Sequence, residues 1–481
     1  MTTLTASPVR NLPCLVDGEW LSQGDPVEIH SPFDNSLVGT TTRVSAERLE
    51  RATQAAVRAF ETTRKMPSYE RQRILRTVAE GIARHKDDFA RLMALEAAKP
   101  LKAARVEVER AILTFSVASE EATRTYGEYL PLDVTPSTDG GWGLVKRFPL
   151  GPISAITPFN FPLNLVAHKV APAIAAGCSM VLKPAPQTPL CSMLLAQIVQ
   201  EAGLPKGALN VVYLTNEDAA SLARDERFKL LSFTGSSAVG WSLKSQAGKK
   251  RVALELGGNA GCIIHDDADI TDAASRCVAG AFGYAGQSCI SVQRILVHRD
   301  VFASFTDNLV AGAKALKIGD PMDATVDVGP LIRESDAIRA HTWVKEAIEH
   351  GATLLCGGNR KNSLLEPTVI TGTTPKMRVN CEEIFAPVVT VEPYDDFAEA
   401  IRNINDSPYG LQAGLFTRDA RLIFAAFEEL QVGAMIAGDI PSWRVDNMPY
   451  GGVKDSGTGR EGLRFAIEEM TERKLLVMNL K

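Results

Sequence analysis

The sequence predicts an α/β protein of at least two domains. From Trp142 onward, short apolar runs alternate with helix-like segments, a pattern typical of βαβ units built on a parallel sheet. A second alternation of this kind follows Cys289, and 481 residues are too many for one small core. Because ligands bind at the carboxyl ends of the strands in such sheets, we expect a cofactor crevice there.

The composition argues against several classes of function. Hydrophobic residues (45%) and charged residues (23%) occur in ordinary globular proportions. The net charge is −5 and the basic residues are dispersed, so no nucleic-acid partner is expected. The opening MTTLTASPVRNLP lacks the apolar core of a secretory signal, and no run reaches the roughly 18 apolar residues of a membrane span. We therefore expect a cytoplasmic protein with no membrane partner.

The periodicity of apolar residues predicts the elements in chain order. Residues 1–40 are expected to form strands and turns. Helices are predicted over Ala46–Phe60, Tyr69–Leu95, Leu101–Arg124, Asn164–Ala176, Leu190–Ala202, Asp269–Tyr284, Phe302–Lys317, Ser335–Glu349 and Ala420–Gln431. The chain closes with an apolar strand, Lys474–Leu480, which needs a partner and is expected to pair with another subunit.

Cys289 is a candidate nucleophile. It lies in GYAGQSCISVQR (Gly283–Arg294), where Gly286, Gln287 and Ser288 precede it, so small and polar neighbours leave its sulfur accessible. The alternative is a packed core thiol, because free cysteine is among the most buried residue types. The eight cysteines include no Cys-x-x-Cys pair, and no histidine is spaced for zinc. Reduced thiols and no metal site are therefore expected.

Two further polar residues complete a possible reaction centre. Glu255 follows an apolar run in RVALELGGN (Arg251–Asn259), which places a carboxylate at a strand end. Asn160 is the single polar side chain of PFNFP (158–162). A thiolate can attack carbon, an amide can stabilise an oxyanion, and a carboxylate can activate water for hydrolysis.

Two stretches could hold a cofactor, although neither is decisive alone. FTGSSAVG (Phe233–Gly240) reads as a strand and a small-residue turn into a helix, which can bring N–H groups to a pyrophosphate. It is not G-x-G-x-x-G, and a plain strand-to-helix turn explains it equally well. Lys183, at the end of CSMVLKP, could contact a ribose or phosphate, or it could be solvated.

Taken together, the motifs resemble the aldehyde dehydrogenase superfamily. The set PFNFP, KPAPQTPL, FTGSSAVG, LELGGN, GQSC, EEIFAP and YGGVKDSG occurs in this order, and the resemblance covers about residues 12–480. It implies an NAD(P)-binding domain of Rossmann type (residues 1–127 and 148–256) and an α/β catalytic domain (257–455). It also implies a small β element for oligomerisation (128–147 and 468–481), in a homodimer or homotetramer.

The resemblance assigns roles to the candidate residues. It makes Cys289 the nucleophile that forms a thiohemiacetal and then a thioester, and Glu255 the general base that hydrolyses the thioester. Asn160, with the backbone N–H of Cys289, matches the oxyanion hole. Lys169 matches a lysine near the catalytic centre that takes part in proton relay, or it simply pairs with a carboxylate.

The resemblance also implies a nicotinamide cofactor, NAD+ or NADP+. Its contacts would be Thr157, Phe159, Lys183, Gly235, Ser236, Gly257, Glu383 and Phe385. One position departs from many NAD-preferring members, in which a carboxylate stands three residues after the strand-end lysine. Here that position is Pro186, and without the charge a 2′-phosphate is not repelled, so NADP+ becomes admissible with a slight preference.

The substrate is predicted less sharply. Arg444, in SWRVDNMPY, could bind a carboxylate or phosphate of a small acidic or polar aldehyde such as succinate semialdehyde, lactaldehyde or a phosphorylated aldehyde. Alternatively, it pairs with Asp446 or another acid and braces the loop. Ser288 and Ile290 flank the nucleophile and are expected to shape the pocket.

Three alternative functions fit parts of the sequence less well. A CoA-acylating aldehyde dehydrogenase passes the acyl group to a thiol, and such members commonly lack the glutamate that is present here as Glu255. A non-catalytic relative would be expected to lose the cysteine, the asparagine or the glutamate. A cysteine hydrolase needs a histidine beside Cys289, and the closest one in sequence is His298.

Overall fold

The computed structural model describes residues 10–21 and 24–479. The predicted opening strands and turns before residue 10, and the last residue of the predicted strand Lys474–Leu480, lie outside this range. Within it, no helix is both long and apolar enough to cross a membrane.

The helices of the described residues agree with most of the predicted ones. The prediction of one helix over Tyr69–Leu95 is wrong, because the chain breaks at His85 (φ −105°, ψ 21°), whose ring bonds Asp88 at the start of the next helix. The helices are α1 Ala46–Thr63, α2 Ser68–Arg84, α3 Lys86–Glu96, α4 Leu101–Glu121, α5 Asn164–Ala176, α6 Leu190–Glu201, α7 Asn216–Arg224, α8 Ser237–Gln246, α9 Ile270–Phe282, α10 Arg299–Ala315, α11 Glu334–Glu349, α12 Arg378–Cys381, α13 Phe397–Asn405, α14 Ala420–Glu429 and α15 Leu463–Glu469.

The strands are mostly short and apolar, as the runs in the sequence predict. They are β1 Arg10–Asn11, β2 Leu15–Val16, β3 Glu19–Trp20, β4 Pro26–His30, β5 Leu37–Thr42, β6 Glu128–Pro131, β7 Trp142–Pro149, β8 Ile153–Ile156, β9 Met180–Lys183, β10 Leu209–Val211, β11 Leu230–Thr234, β12 Arg251–Glu255, β13 Gly261–Ile264, β14 Arg294–His298, β15 Thr353–Cys356, β16 Arg360–Lys361, β17 Leu364–Leu365, β18 Thr368–Thr371, β19 Val388–Tyr394, β20 Tyr409–Gly410, β21 Gln412–Phe416, β22 Ala434–Ala437, β23 Val453–Lys454, β24 Gly457–Thr458 and β25 Thr471–Met478.

An eight-stranded sheet positions the first set of candidate residues. Its order is β24-β12-β11-β8-β9-β10-β2-β3, and the four neighbours β12, β11, β8 and β9 are parallel. Glu255 ends β12, Gly235 follows β11, Asn160 lies four residues after β8, and Lys183 ends β9. Because parallel strands end at one edge of a sheet, these residues share that edge, as expected for a ligand crevice.

A seven-stranded sheet carries the candidate nucleophile, Cys289. Its order is β15-β18-β19-β14-β13-β21-β22, with only the β15 pairing antiparallel. Cys289 lies in the connection from α9 to β14, which is one of the central strands. The loop that contains Cys289 therefore leads directly into a buried central strand.

The terminal strand finds a partner within its own chain. β25 pairs antiparallel with β7 over eight residue pairs, from Thr471↔Pro149 to Met478↔Trp142, in the three-stranded sheet β25-β7-β6. Among the described strands, β25 is an edge of this sheet, and the side chains of Leu475, Leu476 and Val477 are about half exposed. The strand partner of β25 is therefore β7 of the same chain, and pairing with another subunit stays a prediction. The domain boundaries stay a prediction.

A buried ion pair fixes the start of α5 next to the PFNFP loop. Lys99 and Glu107 form a salt bridge in which both side chains are almost fully buried. The same Glu107 carboxylate accepts hydrogen bonds from the backbone N–H groups of Leu163 and Asn164, both at 3.0 Å. These N–H groups begin a helix that has no side-chain cap of its own, so Glu107 serves as a cap from outside.

Replacing Glu107 with alanine should lower the free energy of unfolding by about 3–5 kcal/mol, because it leaves the Lys99 charge buried without a counter-ion. Differential scanning calorimetry of the variant would show this as a lower melting temperature. Glu109→Ala is the matched control, since Glu109 is exposed on the same helix. A decrease no larger than that of the control would contradict the assigned role.

Candidate active site

One cavity brings most of the predicted site residues together. It has a volume of about 320 Å³ and lies between the two large sheets. Its lining includes the following predicted residues: Phe159, Asn160, Gly235, Ser236, Glu255, Gly257, Ser288, Cys289, Ile290, Glu383, Phe385 and Arg444. A larger cavity of about 900 Å³, between the starts of α1 and α7, contains none of them.

The loop before Cys289 has an unusual backbone that aims the thiol into the cavity. Tyr284 and Ala285 adopt left-handed conformations (φ 51° and 53°), and Gly286 follows with φ 69°. A Cβ on Gly286 would lie 2.2 Å from the carbonyl oxygen of Ala386, so only glycine fits there. Burial raises the pKa of the Cys289 thiol to about 11.

Two hydrogen-bond donors lie beside the nucleophile. The Asn160 side-chain nitrogen donates to the carbonyl oxygen of Gln287 at 3.0 Å, and an amide nitrogen carries a second hydrogen. Among the described residues, the backbone N–H of Cys289 has no hydrogen-bond partner. These two free N–H groups have the composition of an oxyanion hole.

Glu255 is a buried carboxylate with one unsatisfied oxygen. Its Oε2 has no hydrogen-bond partner among the described residues. Burial, followed by the nearby negative charge of Glu461, raises the pKa of Glu255 well above its usual range. Such a carboxyl holds a proton at neutral pH more readily than an exposed one, and its basic form becomes more populated as the pH rises.

Lys169 lies behind the cavity rather than in its lining. Its Nζ donates to the Ser232 hydroxyl at 3.0 Å and lies 3.7 Å from Glu461 Oε1. Burial lowers the pKa of Lys169. Lys169 thus pairs with a carboxylate, as the alternative expected. The charges of both Lys169 and Glu461 act on the pKa of Glu255.

Several of the predicted cofactor residues form one wall of the cavity. Gly235 and Ser236 lead into α8, whose first turn has no side-chain cap. A Cβ on Gly257 would lie 2.3 Å from Glu383 Oε2, which shows how closely this carboxylate approaches the backbone. Glu383 accepts a hydrogen bond from the Gly258 N–H at 2.9 Å, and burial raises its pKa to about 7.

Two aromatic rings also face this wall. Phe385 adopts a left-handed backbone conformation (φ 49°), and its ring meets the ring of Phe159 edge to face, with centroids 6.0 Å apart. The two rings therefore contact each other and form an apolar part of this wall.

Three predicted cofactor residues do not line the catalytic cavity. Lys183 is buried and donates to Asn216 Oδ1 at 2.9 Å, so the alternative of a solvated lysine is wrong; burial lowers its pKa to about 8. The Thr157 N–H donates to the Lys183 carbonyl at 3.1 Å, and the Thr157 hydroxyl is buried without a partner. Pro186 borders a separate cavity of about 700 Å³.

Arg444 lines the cavity and is paired at the same time. Its guanidinium donates to Glu461 Oε2 at 3.0 Å and lies 3.6 Å above the ring of Tyr450. The expected alternative partner, Asp446, is occupied by Arg110, with nitrogen to oxygen distances of 2.7 and 3.0 Å. Arg444 therefore braces the loop through Glu461 while part of it still borders the cavity.

The residues of the cavity lining that were not predicted include Tyr450, Glu461 and Arg110. Tyr450 lies 2.9 Å from Cys289 Sγ through its hydroxyl, Glu461 joins Lys169 to Arg444, and Arg110 reaches the cavity from α4. Tyr450 is the first residue of the YGGVKDSG motif, and its position next to the Gly-Gly turn of that motif could have indicated a place in the site. No sequence signal distinguished Arg110, because charged residues are common along α4.

The lining of the cavity argues against a cysteine hydrolase. None of the described residues that line the cavity is a histidine. The ring of His298 instead packs edge to face against His265 and Tyr394, with centroids 5.2 and 5.5 Å away.

Comparison with known proteins decides the family. Residues 20–476 match the model of the "Aldehyde dehydrogenase family". The chain belongs to the aldehyde dehydrogenase family. This aldehyde dehydrogenase is 41% identical over 483 residues to the 3-sulfolactaldehyde dehydrogenase of Priestia aryabhattai, with 100% of both chains covered.

Two solved structures resemble it closely. Aldehyde dehydrogenase 21 from Physcomitrella patens, in complex with the reaction product succinate, has a TM-score of 0.96 and 43% identity, covering 98% of this chain and 99% of that one. Glyceraldehyde-3-phosphate dehydrogenase GapN from Methanocaldococcus jannaschii, complexed with NADP, has a TM-score of 0.91 and 37% identity, covering 95% and 100%.

These findings confirm the predicted fold and activity. The protein is an NAD(P)+-dependent aldehyde dehydrogenase that oxidises an aldehyde. The non-catalytic alternative is thereby wrong. The three candidate residues Cys289, Asn160 and Glu255 also line one cavity of this protein.

Proposed function

We propose that this aldehyde dehydrogenase oxidises a small acidic or polar aldehyde to a carboxylic acid, with Cys289 as nucleophile and Glu255 as general base. The observation that carries the proposal is the single cavity in which a thiol, an amide donor, a carboxylate and a guanidinium converge. Among the described lining residues, Cys289 supplies the single thiol, whereas carboxylates (Glu255, Glu383, Glu461) and guanidinium groups (Arg110, Arg339, Arg444) each occur three times.

The residues of the cofactor wall fit a nicotinamide dinucleotide. The uncapped N-terminus of α8 suits a pyrophosphate, and the apolar surface formed by Phe159 and Phe385 suits contact with a planar ring. Glu383 and Lys183 would hold the two riboses. When bound, the nicotinamide accepts a hydride from the substrate. Pro186 carries no charge that would repel a 2′-phosphate, which supports the use of NADP+ as well as NAD+.

The chain's own residues then perform the remaining steps. The Cys289 thiolate attacks the aldehyde carbon, and the oxygen that becomes negative is stabilised by the Asn160 amide and the Cys289 N–H. Loss of the hydride leaves a thioester on Cys289. Glu255 takes a proton from water, the resulting hydroxide attacks the thioester carbon, and the Cys289 thiolate leaves. Lys169, whose Nζ lies 3.7 Å from Glu461 Oε1, would relay that proton onward.

Three arginines line the cavity, and the proposed substrate class rests on two of them. Arg110 and Arg444 both border the cavity, and the Nε of Arg444 is buried without a partner among the described residues. A carboxylate or sulfonate would satisfy that N–H and share the positive charge. The relatives support this direction, since one is a 3-sulfolactaldehyde dehydrogenase and one was solved with succinate.

Assembly as a homodimer or homotetramer is also proposed. β25 and β22 are both edge strands, and unpaired edges are templates for pairing with another chain. The side chains of Leu475, Leu476 and Val477 on β25 are about half exposed, and Phe424 and Phe427 on α14 are largely exposed. All eight cysteines are free, which supports a reducing compartment such as the cytoplasm.

Glu255→Gln should allow one rapid turnover of hydride transfer and then stall, because only deacylation needs the base. Stopped-flow absorbance of NADH or NADPH would show a burst of about one equivalent per active site, followed by a steady rate at least 100-fold below wild type. Cys289→Ala is the control and should abolish the burst. Wild-type steady turnover in Glu255→Gln would refute the role of Glu255. Turnover that requires CoA in the wild type would favour the acylating alternative instead.

Arg444→Ala should reduce kcat/KM for succinate semialdehyde by about 10- to 100-fold more than for an uncharged aldehyde of similar length, since a charge-assisted hydrogen bond is lost. The comparison between the two substrates is the control, because any damage to the nucleophile affects both. Equal losses for both aldehydes would remove Arg444 as an anion anchor.

Leu476→Lys should weaken subunit association, because a charge on an edge strand opposes pairing. Light scattering after size exclusion should show a species of lower mass than wild type. Tyr69→Lys, at an exposed aromatic position on α2, is the control and should keep the wild-type mass. An unchanged mass in Leu476→Lys would argue against this edge as the interface.

A further inference from the structure

The hydroxyl of Tyr450 has a single partner, the sulfur of the proposed nucleophile. Tyr450 is 3% exposed, and its hydroxyl lies 2.9 Å from Cys289 Sγ. No other described residue forms a hydrogen bond with that hydroxyl. A phenylalanine would fill the same space, so the hydroxyl is the part of this side chain that needs an explanation.

The ring that carries the hydroxyl is held from two sides. The backbone N–H of Tyr450 donates to the Glu461 carbonyl at 3.1 Å, and the Glu461 N–H donates back to the Tyr450 carbonyl at 2.6 Å. The Arg444 guanidinium lies 3.6 Å above the ring. The hydroxyl therefore meets the sulfur from a fixed position, which is what preorganised electrostatic stabilisation requires.

The charged groups that face Cys289 act in opposite directions. Glu383 and Glu255 disfavour a thiolate, and so does burial. Tyr450 and Arg444 favour it, although Glu461 offsets part of the charge of Arg444. Burial, and then the charge of Cys289, raise the pKa of Tyr450 well above its usual value, so the phenol keeps its proton and can donate.

We propose that Tyr450 is a catalytic residue that activates Cys289 by donating a hydrogen bond to its thiolate. The proposal rests on the proposed role of Cys289 as nucleophile. No proton is transferred to Tyr450: the thiol loses its proton to water, and the phenolic O–H stays intact while it stabilises the sulfur anion. The hydrogen bond offsets part of the cost that burial imposes on the thiolate.

Alkylation of Cys289 measures this interaction without turnover. The rate of reaction with iodoacetamide follows the thiolate fraction, so its dependence on pH gives the titration of the thiol. The full-length enzyme without cofactor would carry Cys381→Ser, which removes the other partly exposed cysteine. Labelling at Cys289 would be quantified by peptide mass spectrometry between pH 6 and pH 10, which is the rising part of a profile whose midpoint lies near the raised thiol pKa of about 11.

Tyr450→Phe should move the alkylation profile to higher pH by about one unit or more, so that the rate at a fixed pH below the midpoint falls about tenfold. The burst of hydride transfer should slow correspondingly, with the largest loss at low pH. A profile that is unchanged or moves to lower pH would overturn the proposal.

Tyr394→Phe is the matched control. Tyr394 is also buried, and its hydroxyl bonds the ring of His265 at 2.8 Å instead of Cys289. This variant should keep the wild-type profile, and a shift equal to that of Tyr450→Phe would also overturn the proposal. Should Tyr450→Phe fold poorly, ultraviolet titration of the thiolate in Tyr450→Met provides the same comparison.

The outcome separates this proposal from the proposed function. Cys289→Ser with wild-type turnover would refute Cys289 as the nucleophile, whatever the alkylation data show. If Cys289→Ser is inactive and Tyr450→Phe titrates like wild type, only the role of Tyr450 fails.

Discussion

The buried ion pair between Lys99 and Glu107 connects the two loops that make the active site. Glu107 accepts hydrogen bonds from the backbone N–H groups that directly follow the PFNFP loop, which contains Asn160. Lys99 lies 3.6 Å from the ring centroid of Phe161, in that loop, and 4.4 Å from the ring centroid of Tyr284, in the loop of the nucleophile. Removing two charges from water costs several kcal/mol each, and here hydrogen bonds and aromatic faces offset that cost. The geometry of the reaction centre therefore depends on a contact that substrate never meets.

Burial gives the site its chemistry and also opposes it. The same desolvation that strengthens hydrogen bonds in the cavity raises the pKa of Cys289, Glu255 and Glu383. A site of this kind needs donors next to each developing anion, because bulk water is not available to stabilise the charge. The phenol of Tyr450 lies within hydrogen-bond distance of the sulfur, and the charge of Arg444 also favours the thiolate, so together they meet that need.

The sequence predicted the site well where chemistry follows local structure. Glu255 ends an apolar run, and parallel pairing of neighbouring strands is enough to bring strand ends together. Contacts made only by tertiary folding could not be predicted. Tyr450 and Cys289 are 161 positions apart. Arg444 pairs with Glu461 rather than with the nearer Asp446, because Arg110 from a distant helix had already neutralised that acid.

The raised pKa of Glu255 also bears on the substrate. While Glu255 holds its proton, Lys169 and Arg444 face one ionised carboxylate, Glu461, and this buried group carries an excess of positive charge. An acidic aldehyde supplies the missing negative charge, so its binding stabilises the group. If Glu255 were already ionised, the added anion would meet a balanced group and gain much less. In the proposed function, burial of Glu255 would thus favour an anionic substrate before the base is needed, and it would couple recognition of the charge to the order of the chemical steps.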